Sequence, residues 1–316
     1  MKKKLVGFLG AGALVLVFSL FSGSTQAGLN FGGPVVSLPE EDVLLGVYDP
    51  NQAFRQAPVG IEQVFISWRR NDAREFTSAV EGIRQGGRLP LVTIEPWPFE
   101  IYGLTQRTLL KDIVNGRYDR SIRLLAQAAA AQSPQVILMR WGHEMELTGL
   151  YPWSQKDPEG YISAYRHFVE IFREEGTTNV QWVWSPAGNR SCQLYWPGAE
   201  YVDFIGVATL ASEEWDRNAG FVETRSFATL MREKYRNVQE YGKPIIAAEV
   251  GVSMSDPESE SAWLVEAVES LGEFPKLKGW VYFNAYQSPN AFGVDEHWEL
   301  NKHQIPVLMG AWNQDQ

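Results

Sequence analysis

Eight short apolar runs recur along the chain from residue 44 onward. They are Leu44–Tyr48, Gln63–Trp68, Leu89–Glu95, Val136–Trp141, Val180–Ser185, Asp203–Ala208, Pro244–Glu249 and Gly279–Asn284. Each is continuous rather than alternating, the pattern of a strand buried on both faces. Between them, apolar residues return every three to four positions, as on one face of a helix. The clearest such stretches are Ala73–Gln85, Ser121–Gln132, Pro158–Glu175, Phe221–Tyr241 and Glu258–Gly272. About eight strand–helix units in one mid-sized chain predict an α/β fold, a single-domain (β/α)8 TIM barrel spanning 44–316. A doubly wound open sheet is the alternative. It calls for a Gly-rich phosphate loop after the first strand, and Gly46-Val47-Tyr48-Asp49-Pro50 is not one. No repeat, low-complexity tract or linker divides the chain.

The first residues change the compartment rather than the fold. Lys2-Lys3-Lys4, the apolar Leu5–Phe21 and the small residues up to Ala27 read as a signal peptide over 1–27. Residues 28–43 are an aperiodic lead-in. A secreted or periplasmic protein is therefore expected, with no membrane contact once the leader is removed. An uncleaved anchor is the alternative. Removing the leader leaves 25 basic residues against 38 acidic ones. So acidic a surface argues against nucleic acid and fits a neutral polymer. The single cysteine, Cys192, excludes an internal disulfide. Twelve Trp, twelve Tyr and sixteen Phe exceed what a core of this size calls for, and a surplus near polar loops suits a sugar-binding cleft.

In a TIM barrel, function gathers where the strands end. The third strand ends at Glu95-Pro96-Trp97, the fourth runs into Arg140-Trp141-Gly142-His143-Glu144, and the seventh ends at Glu249. A lone carboxyl after a run such as Pro244–Ala248 is costly unless paired or used. Glu144 and Glu249 stand 105 residues apart in sequence, yet the fourth and seventh strands can set them facing each other. Two carboxyls roughly 5–5.5 Å apart suit double-displacement cleavage of a glycosidic bond, one as acid/base and the other as nucleophile. The bland reading makes each a structural ion-pair partner. Metalloprotease chemistry is excluded, because Leu147 stands where a second histidine would be needed. No Gly-x-Ser-x-Gly elbow is present, and four scattered histidines do not suggest a metal. Neither a cofactor nor a metal is expected.

With these residues in hand, the chain resembles family 26 of the glycoside hydrolases, a group of β-mannanases and some β-1,3-1,4-glucanases. His143-Glu144-Met145 matches the family's acid/base segment. Lys243-Pro244-Ile245 with Glu249-Val250-Gly251 matches its nucleophile segment. Trp182-Val183-Trp184-Ser185-Pro186 and Tyr195-Trp196-Pro197-Gly198 with Tyr201–Gly206 match the segments between. The resemblance implies a retaining hydrolase acting on a β-linked polysaccharide, first of all β-1,4-mannan, with Glu144 as acid/base and Glu249 as nucleophile.

Arg140 shares the parity of Glu144 and is expected to support it from beneath. His143, Glu95, Trp97, Tyr151, Trp153, Trp184 and Tyr282 are candidate sugar-binding residues, the aromatics because a flat ring matches a pyranose face. Departures from the family concentrate here. Glu146-Leu147-Thr148 replace its usual Asn before Gly149, and Tyr151 replaces a Trp. Ala187 stands for an Asn, and Ala208-Thr209-Leu210 for a strand-six Tyr. The alternatives are therefore a β-1,4- or β-1,3-1,4-glucanase, a glycanase trimming exopolysaccharide, and a non-catalytic polysaccharide-binding protein. A monomer is expected.

Overall fold

The computed structural model describes residues 42–70, 73–99, 106–287 and 296–315. The leader and nearly all of the lead-in lie outside these. Eight parallel strands close into a barrel in sequence order: β1 (Leu44–Tyr48), β2 (Ile61–Ser67), β3 (Leu89–Glu95), β4 (Ile137–Trp141), β5 (Val180–Trp184), β6 (Phe204–Ser212), β7 (Ile245–Ser253) and β8 (Leu277–Phe283). The TIM barrel is thus the observed architecture.

The helices start where local chemistry lets them. Asp157 accepts a hydrogen bond from the Gly160 amide ahead of α4 (Pro158–Glu174). Asp256 does the same for Ser259 ahead of α7 (Pro257–Glu269). In both, proline occupies the first turn, where its missing N–H goes unneeded. The remaining helices are α1 (Ala73–Gln85), α2 (Leu109–Val114), α3 (Asp119–Ala130), α5 (Glu213–Asn218), α6 (Phe227–Val238) and α8 (Gln304–Asp315). The predicted 221–241 helix is shorter than its apolar period, because Ser226 caps α6 and a separate short helix precedes it. Two connections depart from the regular repeat. β1 reaches β2 through turns, and β5 reaches β6 through two 3-10 segments, Arg190–Tyr195 and Ala199–Tyr201.

The barrel interior is layered. Its lower level is apolar: Ile61, Leu91, Leu138, Val183, Phe204, Ile246, Ala248 and Val281 form one buried cluster. β1 contributes Gly46, where a Cβ would fall 2.8 Å from that of Ile61 and 3.0 Å from Val281, so only glycine leaves both in place. Above this plug lies a buried polar level of Gln63, Thr93 and Arg140, and above that the mouth. Large aromatics on the opposite parity, among them Trp141, Trp184, Trp280 and Tyr282, are fully buried in the shell between barrel and helices.

Candidate active site

Two breaks in strand regularity build the site. β4 ends at Trp141, and the chain then turns through Gly142 (φ 56°) and Glu144 (φ 53°). Positive φ is natural for glycine but strained by roughly 1–3 kcal/mol for glutamate. The turn is stitched to both neighbours, Gly142 N–H donating to the Ile94 carbonyl (3.2 Å) and Glu144 N–H to that of Ser185 (2.8 Å). On β7 the break is a bulge. Ala247 pairs with Val207 and Glu249 with Ala208, so β7 carries one residue more than its partner. The same excess shows against β8, where Ala247 and Val250 face Trp280 and Tyr282. A one-residue insertion reverses side-chain parity. Ala248 belongs to the inner cluster, and the bulge turns the next residue, Glu249, into the mouth as well.

Glu144 and Glu249 line one cleft of about 370 Å³. Their surroundings differ. The Glu249 carboxylate accepts from Arg140 Nη1 at 2.6 Å, and that guanidinium is wholly buried. In the orientation that satisfies its neighbours, the Gln63 amide donates to the Ala248 carbonyl (2.7 Å). Its oxygen then accepts from Thr93 Oγ1 (3.1 Å) and Arg140 Nη1 (3.0 Å). Arg140 is thereby fixed beneath Glu249. Its hydrogen bond goes to Glu249, while its charge also reaches Glu144. Among the described residues, the Glu144 carboxyl accepts from the Tyr151 hydroxyl, at 3.3 Å. Burial first, and the Glu249 charge second, push the Glu144 carboxyl up to about 7.

His143 is buried against Phe65, Tyr151 and Trp153, and burial holds its imidazole well below the usual range, hence neutral. Trp153 is fully buried; it stacks on Tyr151 at 4.6 Å and donates Nε1 to the His143 carbonyl (2.7 Å). It braces Tyr151, and no face of it is open to a sugar. Trp184 and Tyr282 are likewise fully buried in the outer shell, on the parity opposite the inward Val183 and Val281. The expectation of sugar platforms at these three positions is corrected. Glu95 and Trp97 line a neighbouring cleft of about 470 Å³ with Phe65, Ser67, Arg69 and Glu75. There Trp97 Nε1 donates to Glu95 (3.2 Å), and burial raises the Glu95 carboxyl.

Several site residues escaped the sequence reading. Trp215, Asn189, Arg225 and Lys234 line the cleft that holds the two glutamates. Glu146 is buried, and accepts the amides of Ala187 (3.2 Å), Gly188 (2.9 Å) and Asn189 (3.2 Å), fastening the loop after β5. From the other side, Lys234 Nζ donates to the Ala187 carbonyl at 2.6 Å. A Cβ on Gly188 would fall 2.8 Å from that of Lys234, so the loop and α6 meet through a glycine. The residue before Leu147 thus has a structural task, for which a buried glutamate next to a glycine-bearing loop was the available signal. Cys192 is buried, and burial pushes its thiol up to about 12, as befits a core residue. Among the described residues no three His, Cys, Asp or Glu side chains gather as metal ligands.

Two carboxyls in one barrel mouth, one pinned by a buried guanidinium and the other held toward its protonated form, define a (β/α)8 barrel with an acid–base site of the glycoside-hydrolase kind. The family model of glycosyl hydrolase family 26 matches residues 100–242, in line with the resemblance carried by the strand-end motifs. That match includes Glu144 and stops before Glu249. Endoglucanase H of Acetivibrio thermocellus is 29% identical over 99% of this chain and 33% of its own length. Mannan endo-1,4-beta-mannosidase of Bacillus subtilis is 26% identical over 57% of this chain and 47% of its own. The chain thus spans about a third and about half of the two curated relatives. In fold it is similar to a β-mannanase from Bacteroides ovatus (TM-score 0.61, 14% identity, 87% and 88% of the two chains). It is also similar to a Cellulomonas fimi endo-beta-1,4-mannanase double mutant (0.63, 15%, 85% and 69%).

Proposed function

We propose that this protein is a retaining endo-β-glycanase that cleaves a β-linked hexose polysaccharide outside the cytoplasm. Glu144, protonated in the resting site, gives its proton to the departing glycosidic oxygen. The Glu249 carboxylate attacks the anomeric carbon and forms a glycosyl ester. Glu144, now ionised, takes a proton from water, whose oxygen displaces Glu249 and releases the sugar with its original configuration. The observation that carries this reading is the asymmetry of the pair: Glu249 bonded to buried Arg140, Glu144 bonded to the Tyr151 hydroxyl and pushed up to about 7.

β-Mannan is the substrate that the family resemblance suggests first. A second reading, β-1,4- or β-1,3-1,4-glucan, is favoured by the likeness to endoglucanase H along 99% of the chain. Ala187 and Leu210, where the chain departs from the family pattern, both lie in the wall beside the glutamates. The test is incubation of the protein from residue 28 onward with β-mannan, cellulosic and mixed-linkage β-glucans, and the producing cell's own exopolysaccharide, with product anomers followed by NMR. A β-anomer appearing first supports retention, and an α-anomer first overturns it. Binding without turnover on every polymer assigns the chain to polysaccharide binding instead. Elution volume in the same preparation checks the expected monomer, and N-terminal sequencing of the exported protein checks cleavage after Ala27.

A further inference from the structure

The wall of the cleft facing β5 and β6 holds an aromatic ring that neither strand-end motifs nor the catalytic scheme account for. Trp215 sits in the first turn of α5, half-buried, with its side chain lining the space that contains Glu144 and Glu249. Its setting is rigid. The Trp215 amide donates to Ser212 Oγ (3.1 Å), and that hydroxyl donates to the buried carboxyl of Glu296 (2.7 Å). The indole meets the buried ring of Trp298 edge-on, at 5.7 Å and 70°. Trp298 in turn presses on Gly251, where a Cβ would lie 2.9 Å from its ring; Gly251 is two residues beyond Glu249. The plane of Trp215 is therefore tied to β6, to β7 and to the segment beginning at Glu296.

Polar groups on the same wall are equally fixed. Lys234 is held on the Ala187 carbonyl. Arg225 is held by buried Asp216, its Nε at 2.8 Å from one carboxylate oxygen and its backbone amide at 2.7 Å from the other. Asn189, beside them, is exposed. A flat apolar face among fixed donors is the chemistry that recognises a pyranose, whose ring hydrogens stack on an indole while its hydroxyls find polar partners. Position decides which sugar it is. This wall is built from the loop after β5 and from α5 and α6, next to Glu144; Glu95 and Trp97 line the neighbouring cleft on the side of β2 and β3. The sugar that departs must lie against the group that protonates it.

We propose that Trp215, with Asn189 and Lys234, forms the subsite for the neutral β-linked pyranose on the leaving side of the scissile bond. The assignment rests on the hydrolytic reading above. Its test compares Trp215→Ala and Trp215→Phe on two substrates. One is a β-linked hexasaccharide of the polymer that the wild type cleaves best. The other is a nitrophenyl β-glycoside of the same sugar, which places no pyranose on the leaving side. In Trp215→Ala, kcat/KM on the hexasaccharide is expected to fall at least tenfold further than on the aryl glycoside. Trp215→Phe recovers most of the difference, and cleavage shifts along the hexasaccharide. Equal losses on both substrates, or no loss on the hexasaccharide, overturn the proposal. If the wild type cleaves nothing, the hydrolytic reading fails separately. Titration calorimetry with cellohexaose and mannohexaose then decides: a tenfold weaker Kd in Trp215→Ala keeps the ring as a sugar platform, and an unchanged Kd removes it.

Discussion

β4 and β7 deliver the same functional group by opposite means. At β4 the strand stops, and a left-handed turn lifts Glu144 out of register with its neighbours. At β7 the strand continues to Ser253, and a single inserted residue swings Glu249 inward. The first device leaves its carboxyl hydrogen-bonded to one tyrosine hydroxyl; the second sets its carboxyl on a buried guanidinium. Identical side chains thus meet different surroundings, because backbone geometry decides which partner each can reach. Strain at Glu144 is part of this arrangement, since relaxing φ would carry the carboxyl off the cleft.

The most severe break of this asymmetry is Glu249→Ala, expected to lower kcat by about 10⁴-fold or more. External azide should restore turnover with inverted product. Near-wild-type activity without azide would remove Glu249 as nucleophile. Next comes Arg140→Met, which strands the Glu249 carboxyl with no cation. A loss of about 3 kcal/mol in urea unfolding is expected, alongside a large fall in kcat. Unchanged stability would mean that the pair is not energetically coupled.

The pH dependence sharpens the comparison. Glu144 acts as an acid only while protonated, so kcat/KM should fall as pH rises through about 7. The same shift makes the protonated form the one the fold favours. Its contribution to stability is full below the ordinary carboxylate range and lost as pH rises through about 7. In Glu249→Gln the neighbouring charge is gone, and NMR titration of Glu144 should give a midpoint below 7. A midpoint that stays put would leave burial as the only cause. The smallest effect is expected from Tyr151→Phe, which deletes the hydrogen bond from the Tyr151 hydroxyl to Glu144. A threefold to tenfold loss in kcat/KM corresponds to the roughly 0.5–1.5 kcal/mol of a single hydrogen bond. A loss a hundred times larger would make Tyr151 a catalytic group in its own right.

The barrel was legible because eight continuous apolar runs separated by helical periods leave few topologies open. The glutamates were legible because a carboxyl closing an apolar run is conspicuous. The aromatics were not. In strands buried on both faces, apolarity carries no record of which face is which, so Trp184 and Tyr282 looked no different from mouth residues. Trp215 and Lys234 lie on helices whose sequence gives no hint that they approach Glu144.

By itself, then, the chain determined its strand count, the order of its elements, and the two carboxyls that follow the apolar runs of β4 and β7. These are local properties: periodicity, capping and the energetic penalty of an isolated charge. Only the tertiary structure decided that one extra residue in β7 points Glu249 into the mouth, that Arg140 hydrogen-bonds Glu249, and that Trp215 reaches the cleft. Each depends on register between strands or contact between distant segments, and neither is written in the residues of any one stretch.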